Sequence, residues 1–133
     1  MAGLAQLTTK LIITGIGDDV EVSNLVELTT PIEYIKGFAI VDTAATTALQ
    51  LLSDTTKIAL DKVFGVYIKA QSGTIYIALN SAGTATFDTT TADLTLISGE
   101  SCYLPINSFN NAGIKIDALT TSDSFSYIIL GKI

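Results

Sequence analysis

Three carboxylates within four residues are the densest group of potential ligand atoms in the sequence. Asp18, Asp19 and Glu21 follow a glycine-rich segment, and a hard cation such as Ca²⁺ takes oxygen ligands of this kind. An EF-hand loop would instead place acidic residues at alternate positions, with a central glycine and a distal glutamate. Two interpretations stay open, a weak calcium site and a solvated turn, and the spacing favours the turn. Asp88 and Asp93 flank a threonine-rich loop and form a weaker candidate of the same type.

Nucleophilic catalysis would need a base that the sequence does not contain. The chain has no histidine, arginine or tryptophan, which excludes Ser-His-Asp and Cys-His machinery and zinc sites that use histidine. The single cysteine, Cys102, has no partner for an internal disulfide and no neighbouring cation to lower its pKa, so we expect a small, buried and inert residue. The segment from Ser98 to Ser101 does not fit the G-x-S-x-G elbow. We therefore predict that the protein is not an enzyme and has no cofactor.

The sequence partly matches two further kinds of site, a dinucleotide-binding turn and a glycosidase site. Gly15-Ile16-Gly17 follows an apolar run, as in a dinucleotide-binding turn, but Val20 stands where the third glycine would be and two carboxylates follow, so we expect a tight turn. A glycosidase would pair two carboxylates beside aromatic sugar platforms. Most of the tyrosines and phenylalanines fall at alternating strand positions, which predicts that they lie in the core.

The charge balance restricts the partners. Seven lysines against thirteen carboxylates give a net charge of −6 and a pI near 4.3, and the lysines are not clustered. Nucleic-acid binding depends on neutralising phosphates, so we expect no nucleic-acid partner. No apolar run approaches the ~20 residues of a membrane-spanning helix, and we expect no membrane partner and synthesis in a cytoplasm.

The elements that would position these residues are strands. Nineteen threonines and seventeen isoleucines favour a pleated surface over a helix. Apolar residues alternate in residues 63–70 and 74–79, and Gln71-Ser72-Gly73 between them predicts a hairpin loop. Residues 43–53 are ambiguous between a short helix and an extended segment, and we favour the extended form. Further strands are predicted over residues 11–16, 20–28, 32–41, 84–87, 93–98, 101–106, 114–119 and 124–132, with Pro105 on an edge strand or at a strand end.

Short strands at intervals of about ten residues, separated by glycine, serine and asparagine turns, are typical of a two-sheet protein. We predict an all-β fold, an antiparallel β-sandwich of jelly-roll type, in a single domain over residues 1–133. The alternative is a small closed barrel. Residues 1–10 have weak patterning and are predicted to form an extended arm that orders against a neighbouring subunit.

The C-terminal half has a Ser98-Gly99-Glu100 turn, a Leu104-Pro105-Ile106 segment that follows, and a terminal strand with Tyr127 and Gly131-Lys132. In these motifs it resembles the small β-sandwich structural proteins of tailed bacteriophages, such as head decoration and cement proteins. The resemblance covers about residues 57–133. It implies a virion component that oligomerises and sits on or in a capsid, and it transfers no individual site residue.

Two functional hypotheses follow from these observations. The first is a structural virion protein that decorates or cements a capsid, forms dimers or trimers with itself and contacts the major capsid protein. The second is a carbohydrate-binding or adhesin-like module of a phage tail or cell surface. The composition, 48% hydrophobic and 15% charged, predicts apolar strand faces that one core of this size does not cover. A flat, self-complementary apolar face would favour the first hypothesis, and aromatic side chains in a groove would favour the second.

Overall fold

The computed structural model describes residues 3–28, 33–41, 49–50, 58, 60–79, 92–106, 114–118 and 122–131. Within these ranges the chain forms ten β-strands, one 3₁₀ turn at Leu60–Lys62 and no α-helix. The strands are β1 Gln6–Ile13, β2 Val20–Glu27, β3 Glu33–Val41, β4 Leu49–Gln50, β5 Val63–Ser72, β6 Thr74–Ala78, β7 Leu94–Ile97, β8 Ser101–Pro105, β9 Lys115–Ala118 and β10 Asp123–Gly131.

Eight of the strands form two antiparallel sheets that pack face to face. The first sheet has the order β3-β10-β5-β8, and the second has the order β4-β9-β6-β7. The prediction of an all-β antiparallel sandwich is confirmed, and the described strands do not join into the closed barrel that was the alternative. Strands β1 and β2 form a separate two-stranded sheet.

The core lies between the two sheets and follows from the alternation of side chains along each strand. Val66 and Ile68 of β5 and Phe125 of β10 point inward from the first sheet, and Ile75 and Ile77 of β6 point inward from the second. All five are fully buried. Each such side chain contributes roughly 1.5–3 kcal/mol through burial, so this layer is the main source of stability.

The predicted hairpin of β5 and β6 is wrong, because the two strands belong to different sheets. The chain crosses between the layers at Gly73, whose φ of 71° is accessible to glycine without strain. The next backbone N–H, that of Thr74, donates to the Asp123 carboxylate at 3.3 Å. By crossing, the chain places the apolar residues of β5 and β6 opposite each other across the core. Glycine and serine indicated a reversal there, but they did not indicate which strand would pair with which.

Several local predictions are confirmed. Gly15 and Gly17 both have positive φ in the tight turn between β1 and β2, and Ser98 to Glu100 form the turn between β7 and β8. Pro105 is the last residue of β8, an edge strand of the first sheet. The predicted strand 84–87 and residues 43–48 and 51–53 of the ambiguous segment lie outside the described residues. Residues 49–50 are extended, as β4.

The N-terminal segment differs from the predicted arm of residues 1–10. Its described residues from Gln6 onward belong to β1, which pairs along its whole length with β2. The segment that stands apart from the sandwich is therefore a hairpin, and it extends to Glu27. In the part of the chain that the structure describes, no helix is long and apolar enough to cross a membrane.

Candidate interaction surfaces

The N-terminal hairpin, defined as β1, β2 and the turn that joins them, has two chemically different faces. Directly paired residues share a face, so the register assigns every side chain to one side. The apolar face consists of six apolar residues with Thr9 and Asn24 between them. The other face, called the polar face, has Ile12 and Leu25 among six polar or charged residues and a salt bridge of 3.2 Å between Lys10 Nζ and Glu21 Oε1. The apolar face contains Leu7, Leu11, Ile13, Val20, Val22 and Val26.

This apolar face is open to solvent over most of its length. Every residue from Thr8 to Glu27 is exposed, including Leu11 and Val22, which pair directly and are both 57% exposed. A two-stranded hairpin alone is at best marginally stable in water, since it has no second layer to cover its apolar side. The hairpin therefore presents an unpartnered apolar surface.

A second apolar surface lies on the outer side of the first sheet, the side that faces away from the core. Tyr34 and Phe38 of β3 are each 61% exposed there, and Ile40 on the same strand is exposed as well. The strand positions of this outer face have two lysines, Lys36 and Lys69, and no carboxylate. In a protein of net charge −6, this face is a locally positive, aromatic patch.

The expectation that most aromatic residues lie in the core is therefore wrong for this sheet. Phe125 and Phe64 are buried, and Tyr127 packs against the core at 5.8 Å from Phe125 between ring centroids. Tyr34 and Phe38 are exposed instead. The physical reason is the alternation of side chains along a strand. β3 has apolar residues at both odd-numbered and even-numbered positions, and only one of these two sets can face the core.

The hairpin and the outer face meet at the base of the hairpin. They border an open cavity of about 400 Å³ with a predominantly apolar lining. The backbone N–H of Leu28 donates to the Ala5 carbonyl at 2.9 Å and extends the hairpin pairing to this point. The cavity is lined by Leu4, Ala5, Gln6, Leu7, Leu28, Tyr67, Tyr103, Ile128 and Leu130.

Tyr103 forms part of the floor of this cavity and packs against the neighbouring strand. Its ring lies over Gly65 of the neighbouring strand, where a Cβ atom would collide with the phenol group. Burial raises the pKa of the Tyr103 hydroxyl above its ordinary value, because desolvation disfavours the phenolate. The outer face is therefore packed and apolar beneath the hairpin, and it becomes open toward β3.

The carboxylates considered as calcium ligands are dispersed along the hairpin. Asp18 and Asp19 lie in the exposed turn, whereas Glu21 lies on β2 and pairs with Lys10. Both members of that salt bridge are more than half exposed, so it contributes at most about 1 kcal/mol. Among the described residues, no three His, Cys, Asp or Glu side chains come together in a way that could hold a metal ion.

Asp93, one of the second pair of acidic candidates, has a structural role. The Asp93 carboxylate accepts a hydrogen bond of 2.7 Å from the backbone N–H of Leu79, and the Asp93 N–H donates to the Ile77 carbonyl. These bonds fix the start of β7 beside β6. Asp88 lies outside the described residues.

The contacts of Cys102 and Ser98 are also structural. Cys102 is opposite Ile68 on the inner side of β8, packs against the core, and is intermediate in exposure rather than fully buried. Burial raises the pKa of its thiol by desolvation, which lowers the thiolate fraction at neutral pH. The Ser98 hydroxyl donates to the Gln71 carbonyl at 3.0 Å.

The surface residues Tyr34, Phe38 and Ile40 were missed by the sequence analysis as candidate contact residues. The available signal was the apolar character of both parities in β3, which is expected of a strand covered on both sides. No family model, curated protein or solved structure matches this chain.

Proposed function

We propose that this protein is a non-enzymatic structural protein of a bacteriophage virion, which decorates or cements the capsid and assembles with itself through apolar β-surfaces. The major capsid protein is its further partner. The observation that supports this most is the pair of open apolar surfaces, the hairpin face and the outer face at β3. Exposed apolar patches of this extent on a small protein mark interaction sites.

The strand order adds support at the level of fold. Counted from β3, the sandwich strands follow the order 1-8-3-6 in the first sheet and 2-7-4-5 in the second. We infer from this order that the sandwich is an eight-stranded jelly roll. Jelly rolls of this type occur in viral capsid proteins and in lectins, so the fold is compatible with both functional hypotheses.

The carbohydrate-binding alternative has one observation in its favour, the exposed rings of Tyr34 and Phe38. A sugar site also needs polar groups that converge on the hydroxyls of the ligand. The exposed rings lie on an outer sheet face beside Ile40, and the cavity next to that face is lined mainly by aliphatic side chains. This chemistry favours contact with another apolar protein surface over contact with a sugar.

The proposal is tested on purified phage particles from cells that express the gene. We expect mass spectrometry to find the protein at a fixed copy number relative to the major capsid protein, and immunogold labelling to place it on the head. Absence from purified particles would contradict the proposal. Specific binding on a glycan array that is lost in Tyr34→Ala and Phe38→Ala would establish the alternative.

A further inference from the structure

We propose that the apolar face of the N-terminal hairpin docks onto the outer face of the first sheet in a second copy of this chain, around Tyr34, Phe38 and Ile40. This inference deepens the self-assembly in the proposed function and rests on it. It specifies which surface of one copy meets which surface of the next.

The hairpin is suited to dock through one face only. Its apolar face starts over its own sheet, where Leu7 lines the cavity, and continues outward through Leu11 and Val22, which nothing described covers. Its opposite face has the Lys10–Glu21 salt bridge and suits contact with water. The apolar face has six apolar residues, whereas the opposite face has only Ile12 and Leu25 among polar and charged residues. The ribbon therefore gains most stability by laying the apolar face on another apolar surface.

The receiving surface is the uncovered part of the same sheet. The base of the hairpin covers the region of Tyr67 and Tyr103, but Tyr34 and Phe38 on β3 remain open. Each copy thus has one apolar surface to offer and one to receive. The two surfaces are different, so the contact closes either as an isologous two-fold dimer, in which each hairpin lies on the sheet of the other chain, or as a heterologous contact repeated around a three-fold axis.

Charge favours this arrangement over packing of two hairpins against each other through encounter and orientation, since the charged strand residues of the hairpin lie on the face opposite the apolar one and Asp18 and Asp19 lie in its turn. The hairpin has four carboxylates and one lysine, a net charge of −3, whereas the outer strand positions of the sheet have Lys36 and Lys69 with no carboxylate. Hairpin against hairpin brings like charges together. Hairpin against sheet brings opposite charges together, which favours correct encounter and orientation.

The area agrees with a closed oligomer. Eight residue pairs give a ribbon roughly 27 Å long and 10 Å wide, so one docked hairpin buries at most about 550 Å² counting both sides. One such contact is below the size of a stable interface, whereas two reciprocal contacts between the same two chains bury up to about 1,100 Å², close to the ~1,000 Å² that a biological interface should clear. In a three-fold ring each pair of chains shares only one contact, so the area favours the dimer.

The experiment compares two double variants of the same hairpin. Leu11→Ser with Val22→Ser alters the apolar face, and Ile12→Ser with Leu25→Ser alters the opposite face at residues that are 55% and 60% exposed. We expect the first variant to raise the dissociation constant of the oligomer about 100-fold, measured by light scattering over a concentration series. The second variant should change it less than about threefold. Equal effects of the two variants would overturn the proposal.

A cross-link identifies the receiving surface. In a Cys102→Ala background, Leu11→Cys and Phe38→Cys are placed in separate chains, mixed and oxidised. We expect a disulfide between the two different chains. A pairing of Leu11→Cys with Ile97→Cys, a residue 55% exposed on β7 of the second sheet, is the matched control and should not cross-link. Cross-linking of Leu11→Cys only with itself would show hairpin-to-hairpin packing and overturn the proposal.

The failures of the two proposals are distinguishable. If the protein is present in particles but the apolar-face variant still oligomerises with wild-type affinity, the docking proposal is wrong and the virion role stands. If the predicted cross-link forms but the protein is absent from particles, the docking proposal stands and the virion role is wrong.

Discussion

A methyl group at Gly73 tests how the chain crosses between the two sheets. Gly73 has φ of 71°, and an added Cβ would collide with the carboxylate of Asp123, which accepts the hydrogen bond of Thr74 N–H. Gly73→Ala therefore introduces two costs, a left-handed backbone for a residue with a side chain and a clash at the corner. We expect Gly73→Ala to lower the free energy of unfolding by about 2–4 kcal/mol.

Gly99→Ala separates the two costs. Gly99 has φ of 90° in the turn between β7 and β8, and nothing lies within 4 Å of its added Cβ. Only the backbone cost applies there, about 1 kcal/mol after the reduced entropy of the unfolded chain is included. The difference between the two variants, about 1–3 kcal/mol, measures the clash with Asp123.

The assay is urea unfolding followed by circular dichroism, since the chain has no tryptophan for fluorescence. All variants are measured at one protein concentration, because oligomerisation contributes to apparent stability. In an Asp123→Ala background, Gly73→Ala should cost no more than Gly99→Ala. If Gly73→Ala costs the same as Gly99→Ala in the wild-type background, the corner is not packed as described.

Three further predictions concern the core, the cysteine and the surface. Phe125→Ala should lower the free energy of unfolding by about 3–5 kcal/mol and Phe38→Ala by less than about 1, because the first ring is fully buried and the second is 61% exposed in the single chain. The protein concentration is kept low enough for the oligomer to dissociate, since Phe38 lies in the proposed contact. Similar losses in urea unfolding would contradict the assigned parity of the first sheet. A thiol reagent at neutral pH should label Cys102 more slowly in the native protein than in urea, because burial raises the pKa of the Cys102 thiol and lowers its thiolate fraction. Equal labelling rates in the two conditions would refute this prediction. Raising the salt concentration from low to about 1 M should change the dissociation constant of the oligomer less than about tenfold, since apolar contacts dominate the interface. Steep dissociation with rising salt would show instead that lysine-carboxylate pairs hold the oligomer together.

Most strands were predictable because alternation of apolar residues is a local property, but β1, which was predicted over residues 11–16, lies at Gln6–Ile13. Val20 to Glu27 and Glu33 to Val41 match the predicted strands to within one residue, and the turns at Gly15 and Ser98 follow from residues with known turn preferences. The all-β sandwich follows from the number and spacing of these strands. Local patterns therefore specify the elements and the fold class.

The pairing of strands was not predictable in the same way, because it depends on partners far apart in the sequence. β5 pairs with β10 and β8, not with the adjacent β6. The contact of Asp123 with the corner at Gly73 was unpredictable for the same reason, since 50 residues of sequence separate Asp123 from Gly73.

The sequence predicted that an apolar contact surface exists, but it did not predict which residues form that surface. The high apolar fraction indicated uncovered strand faces, and the structure has such faces on the hairpin and at β3. Tyr34 and Phe38 alternate as core residues do, and only the parity of β3 relative to the sheet shows that they face outward.

The molar mass of the wild-type protein in solution tests the central claim, self-assembly through these surfaces, most directly. The chain has a mass of 14.0 kDa, and light scattering coupled to size exclusion at micromolar concentration, with no other virion protein present, measures the assembled mass. We predict a discrete species of two or three chains. A monomer of 14.0 kDa under these conditions would contradict it.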